Sequence, residues 1–168
     1  MITKEEFEEY CRTHNLRYKF DKFCEEILLA QNWNKYSLFI LLCYYGYIET
    51  LKWLYTKEEI NIHAEDEYLF RLSCRGGKFQ IAKWLFEISK KNGEMINIHL
   101  RNEDAFKWSC KFDQIEVAKW LCSLCDEYYV EIKNNKIVKY GIKNMFDKYL
   151  DENKGIKKVI KKLQLKII

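Results

Sequence analysis

Three stretches of this chain superimpose on one another, and that repetition narrows the possible folds more than any other feature. Ser37–Leu54 reads SLFILLCYYGYIETLKWL, Tyr68–Leu85 reads YLFRLSCRGGKFQIAKWL, and Asp104–Leu121 reads DAFKWSCKFDQIEVAKWL. Phe39, Phe70 and Phe106 coincide, as do Cys43, Cys74 and Cys110, then Ile48, Phe79 and Ile115, and finally three Lys-Trp-Leu triplets. The offsets are 31 and 36 residues. The difference lies between the segments, where KEEINIHAEDE (Lys57–Glu67) matches GEMINIHLRNE (Gly93–Glu103) through Ile-Asn-Ile-His. Extra residues around Lys90–Asn92 lengthen the exit from the preceding helix.

Each unit reads as two antiparallel helices and a loop. In the first helix Leu38, Phe39, Leu42 and Cys43 share a face, and a small residue such as Cys lets neighbouring helices approach closely. Gly46, Gly77 and Asp113 then break the helix. The second helix carries Ile48, Leu51 and Leu54, repeated as Phe79, Ala82, Leu85 and as Ile115, Ala118, Leu121, with Lys52, Lys83 and Lys119 facing outward. One unit cannot bury both its faces and must stack on copies of itself, which predicts a repeat solenoid. Composition agrees: Pro is absent and Gly occurs six times, too few turn residues for a large β-protein.

The units resemble ankyrin repeats, whose first helix usually begins Thr-Pro-Leu-His-x-Ala-Ala and is followed by Gly-His and a Leu-Glu-Ile-Val-Lys-Leu-Leu run. Gly46–Leu54 and Gln114–Leu121 fit the second half closely. The Thr-Pro pair is replaced by Ser37-Leu38, Tyr68-Leu69 and Asp104-Ala105, and the connecting loop is shorter, which leaves projecting β-hairpin fingers in question. The Ala-Phe-x-Trp-x-Cys and Val-Ala-Lys-Trp-Leu variants look most like the divergent ankyrin repeats of amoeba-infecting giant DNA viruses of the mimivirus type. The match covers about residues 36–125.

The expected fold is therefore all-α: stacked ankyrin-like helix-turn-helix units with a small C-terminal β-hairpin and helical caps. Its divisions are a helical N-terminal cap at 1–35, units at 36–66, 67–103 and 104–127, and a C-terminal cap at 128–168. In the N-terminal cap Thr3 with Glu6 forms a capping-box pattern, followed by Phe7, Tyr10, Cys11 and His14 on one face. Phe20, Phe23, Cys24, Ile27 and Leu28 make a second stripe. After the third unit, Tyr129–Ile132 and Ile137–Tyr140 read as strands flanking Asn134-Asn135, a pair suited to a tight hairpin turn. A helix is expected near Ile142–Leu150 and a last one from Lys154. That tail carries Lys154, Lys157, Lys158, Lys161, Lys162 and Lys166 opposite Ile156, Val159, Ile160, Leu163 and Ile167. It suits a solvated cap on the stack, with binding to nucleic acid or an anionic membrane surface as the competing reading.

The candidate chemistry is sparse. Cys122-Ser-Leu-Cys125 has the spacing of half a zinc site or a redox dithiol, but the sequence has no second such pair, so packing is the favoured reading. His63 and His99 occupy equivalent loop positions, where a polar residue is expected to hydrogen-bond the adjoining loop backbone rather than to catalyse. Trp53, Trp84 and Trp120 could stack bases, but their periodicity favours inter-unit packing. Phosphate-loop, dinucleotide, zinc-protease and serine-hydrolase motifs are missing from the sequence, so neither enzyme activity nor a cofactor or metal is expected. No apolar run reaches the ~18 residues of a membrane span, and the acidic start MITKEEFEEY is no signal peptide. Seven Cys without a secretion signal suggest free thiols in a reducing compartment, the cytoplasm, and that of a host cell if the chain is viral.

The resemblance implies a non-enzymatic module that binds a partner protein, for a viral chain a host protein, through the concave face of the solenoid. No small-molecule substrate is expected. The implied contacts are Ile40, Tyr44 and Tyr45, then Arg71 and Arg75, then Lys107, Lys111 and Phe112, with loop neighbours Glu65, Glu67, Tyr68, Arg101, Asn102 and Asp104. The face runs from aromatic to basic, which suits a partner segment with an acidic patch and an apolar anchor.

Overall fold

A computed structural model describes residues 4–13 and 35–143. Among them are seven helices and one two-stranded antiparallel sheet. Helix α1 (Lys4–Thr13) is followed by three helix pairs: α2 (Lys35–Tyr45) with α3 (Ile48–Lys57), α4 (Ala64–Arg75) with α5 (Phe79–Lys91), and α6 (Leu100–Lys111) with α7 (Ile115–Leu124). Strands β1 (Tyr128–Lys133) and β2 (Lys136–Ile142) close the described chain. Helix α4 packs between α2 and α6, α5 packs on α7, and the hairpin packs on α6 and α7.

The apolar spacing explains this layering. Phe39, Phe70 and Phe106 are fully buried at matching positions, and Cys43, Cys74 and Cys110 lie beside them. Leu51, Leu54, Ala82, Leu85, Ala118 and Leu121 bury the inner faces of the second helices. A small Cys where first helices meet leaves room for the neighbouring backbone. The same burial pushes the Cys43 and Cys110 thiols up to about 12 and raises that of Cys74 as well. The tryptophans pack between units. Trp53 stacks on Tyr10 at 3.9 Å, Trp84 meets the edge of Tyr55 at 5.4 Å, and Trp120 meets Phe79 and Phe86 at 5.7 Å each.

Each first helix stops by the same device. The residue at Gly46, Gly77 or Asp113 takes positive φ, and the next N–H turns back to a carbonyl five residues earlier. These bonds run from Tyr47 to Leu42 (3.0 Å), from Lys78 to Ser73 (2.9 Å) and from Gln114 to Ser109 (2.8 Å). Asp113 adopts φ 55° without being glycine, and its carboxylate accepts the Ile137 N–H of the hairpin at 2.8 Å. The longer second interval appears as a longer helix: α5 has 13 residues, against 10 in α3 and α7. In its last turn the buried Ser89 hydroxyl donates to Phe86 O and accepts the Ile96 N–H from beyond the helix, tying the exit down.

Helix α1 lies where the N-terminal pattern put one, with Phe7 fully buried and its ring 6.3 Å from Trp53. The hairpin turns at Asn134 and Asn135, with φ 49° and 57°. Its strands begin earlier and end later than the β-rich runs alone suggest. Ile142, expected to open a helix, instead ends β2 opposite Tyr128, because the cross-strand ladder extends to that pair. The rest of that helix, the stripe from Phe20 to Leu28, and the basic tail lie outside the described residues.

Candidate binding groove

The first turns of α4 and α6 carry residues expected to meet a partner, and they do so with an unusual backbone. Glu65, Asp66 and Glu67 have φ 53°, 56° and 61°, and Arg101, Asn102 and Glu103 repeat this with 54°, 58° and 65°. Each set makes one left-handed turn ahead of a right-handed helix. For non-glycine residues this conformation costs roughly 1–2 kcal/mol apiece, so local bonds must hold it.

Those bonds come from Asn-Ile-His and the Glu that follows it. Asn61 and Asn97 accept the N–H of His63 and His99 at 2.9 and 3.0 Å. The His63 ring then meets the Glu67 carboxylate at 2.9 Å, and His99 meets Glu103 at the same distance. Each Glu also reaches beyond its own unit. Glu67 accepts the Asn97 N–H at 3.3 Å, and Glu103 accepts the Tyr128 hydroxyl of the hairpin. Burial, and then the bond to Glu103, raises the Tyr128 pKa. Two expectations are corrected here. It is the Glu, not the His ring, that reaches outward: Glu67 to the neighbouring loop backbone and Glu103 to the Tyr128 hydroxyl. Glu67, read as a partner contact, is only 5% exposed because its carboxylate is committed inward.

Arg71 completes the scaffold. It donates to the carbonyls of Asp66 (2.8 Å) and Glu65 (3.0 Å) and to the Asp104 carboxylate of the next unit (3.1 Å). Asp104 in turn accepts the Trp108 indole N–H at 3.1 Å. Arg101 pairs with Asp66 at 2.7 Å, an exposed contact of small energetic weight.

Beside this scaffold α2, α4 and the turn that follows α6 border an open hollow of about 700 Å³. Tyr44, Tyr45, Tyr68, Arg75 and Phe112 line it together with Ile40, Leu72 and Gln114. Tyr44 is 56% and Phe112 42% exposed, a large aromatic area in contact with water. A second hollow of about 230 Å³ adjoins it, shares Tyr68, Leu72 and Arg75, and adds Arg71, Asp104 and Trp108. The sequence-derived surface thus divides. Tyr44, Tyr45, Tyr68, Arg75 and Phe112 come together; Arg71 and Asp104 edge the second hollow as a mutual pair; Lys111 joins through Trp108. Glu65, Glu67, Arg101 and Asn102 belong to the left-handed turns, and the half-buried Lys107 lines neither hollow.

Sequence reasoning missed Trp108. It stacks on Phe112 at 5.5 Å and carries Arg75 and Lys111 over its ring, both at 4.8 Å. The signal was present: Trp108 stands where the other units have Leu41 and Leu72, with Phe112 one helical turn further on.

Cys122 is half-buried against the core, and Cys125 ends α7, its N–H bonded to Leu121 O. No helix among the described residues is long and apolar enough to cross a membrane. No family model, curated protein or solved structure matches the chain.

Proposed function

We propose that this chain is a protein-binding module, an ankyrin-like repeat solenoid that engages a partner protein through the groove lined by Tyr44, Tyr68, Arg75 and Phe112. One observation carries the reading. Residues from three successive units converge on one hollow, and the groove positions differ from unit to unit while the core positions repeat. Tyr44, Arg75 and Lys111 are equivalent, as are Tyr45, Gly76 and Phe112. Stacking fixes the core positions and leaves the exposed ones free to vary, and here the exposed ones are aromatic and basic residues gathered in one hollow, the composition of a specific surface.

Aromatic residues and Arg suit such a surface because they combine contact area with directional bonding. The buried free thiols at Cys43, Cys74 and Cys110 fit a reducing compartment, which supports a cytoplasmic role. The ankyrin relationship and the viral affinity rest on the repeat residues themselves. The test is capture from cell lysate, with and without nuclease, by the wild-type chain and by a Tyr44→Ala, Arg75→Gln, Phe112→Ala variant. A nuclease-resistant protein partner lost with the variant supports the groove. Capture that vanishes with nuclease and ignores the variant transfers the function to the basic tail.

A further inference from the structure

The geometry points to a carboxylate receptor at Arg75, so that the occupant of the groove is a peptide segment with Asp or Glu beside a large apolar residue. This rests on the groove reading above and specifies its ligand. The two arginines of α4 differ sharply. Arg71 spends its donors on two carbonyls and on Asp104. The Arg75 guanidinium, one turn later, makes no hydrogen bond or ion pair among the described residues. Its guanidinium lies 4.8 Å from the Trp108 ring centre and 5.1 Å from that of Phe112. Stacking occupies the face of a guanidinium and leaves its in-plane N–H groups free, the edge that grips a carboxylate in two parallel bonds.

The cradle is fixed from below. Arg71 holds Asp104, Asp104 holds the Trp108 indole N–H, and Trp108 carries Arg75. Contact with two aromatic rings restrains the cation before any ligand arrives, which lowers the entropy cost of binding. Lys111 lies over the same indole and adds a second positive charge. No carboxylate lines the larger hollow, and Asp104, the acid in the smaller one, is already paired. The uncompensated charge is positive, and it adjoins an aromatic hollow lined by Tyr44, Tyr68 and Leu72. A ligand complementary to both parts carries an anion and an apolar side chain a few ångströms apart.

A random dodecapeptide display library selected on the immobilised full-length chain tests this. The best peptide and its Asp→Asn or Glu→Gln counterpart are then titrated against wild-type, Arg75→Gln and Arg75→Lys chains. Enrichment of an acidic residue near an aromatic or aliphatic one is expected. The amide swap should weaken wild-type binding about 10- to 100-fold and hardly affect Arg75→Gln, with Arg75→Lys in between. Enriched peptides without an acid preference, or an amide swap equally costly on Arg75→Gln, overturn the receptor and leave the groove standing. No enrichment at all overturns both. A labelled twenty-residue oligothymidylate bound by wild type and released by Arg75→Gln overturns the peptide in favour of nucleic acid. Unchanged circular dichroism of Arg75→Gln is expected because the side chain is exposed and makes no hydrogen bond.

Discussion

Replacing Glu67 by Ala removes a carboxylate that is 5% exposed and bonded to His63 at 2.9 Å and to the Asn97 N–H at 3.3 Å. Hydrogen bonds to a charged group contribute about 1.5–3 kcal/mol each, but His63 is half-buried and Asn97 exposed, so water replaces part of the loss. A second cost comes from the backbone, because Ala at φ 61° keeps the left-handed strain without the bonds that held it. Together these give a loss of about 2–4 kcal/mol. For a chain of this length that lowers Tm by roughly 5–15 °C. Glu67→Gly separates the two costs, since glycine adopts the turn without strain and should retain about 1 kcal/mol more stability than Ala. Asp66→Ala loses only the exposed Arg101 pair and should stay within about 1 kcal/mol of wild type. Urea unfolding followed by tryptophan fluorescence reads all three. A loss below about 1 kcal/mol for Glu67→Ala, or Gly at least as harmful as Ala, would refute the claim that this carboxylate holds the turn.

The remaining predictions probe other links. Asp113→Gly relieves positive φ but drops the bond to Ile137, and should cost about 1 kcal/mol in urea unfolding, while Asp113→Asn, which keeps an acceptor, should be near neutral. Alkylation at pH 8 with mass-spectrometric readout should label the half-buried Cys122 and Cys125 in the native chain, and Cys43, Cys74 and Cys110 only after unfolding. Burial, and then the nearby Glu65 charge, push the Tyr36 phenol from 10.0 up to about 12. The folded state holds that proton longer than the unfolded chain. Its contribution is therefore complete below about pH 10 and is lost as pH rises through about 12. Tyr36→Phe should accordingly flatten the alkaline fall in stability measured by ellipticity.

Much of this architecture was legible because stacking leaves a periodic record. Phe39, Phe70 and Phe106 repeat because each fills the same gap between layers, and Gly46 and Gly77 because the helix exit needs positive φ. Asn134-Asn135 marked the hairpin for the same reason. Other features lie outside what local pattern encodes. No glycine announces the left-handed turns at Glu65–Glu67 and Arg101–Glu103, which are held by Asn-Ile-His, by the Glu that follows it and by that Glu's contact beyond the pair. Charge and exposure also look alike in a sequence. Arg71 and Arg75 are both basic residues on one helix face, yet one is a brace and the other is open, a difference set by Asp104 and Trp108 some 30 residues away. Ile142 misled because a β-branched residue at an element boundary serves strand or helix, and only its pairing with Tyr128 decides.

The carboxylate of each loop offers an attachment point to whatever follows it. At Glu67 a backbone amide of the next loop fills that point, and any sequence that keeps the loop conformation could do the same. At Glu103 the phenol of Tyr128 fills it, and the ring also stacks on Phe106 at 4.1 Å. A side chain has thus taken the place that a further pair of helices would need for its own entry loop. Among the described residues the hairpin covers the last helix pair, much as an end group covers the last unit of a polymer. Removing Tyr128 would then do more than loosen a strand: it would leave the Glu103 carboxylate without its phenol and the Phe106 ring without its cover.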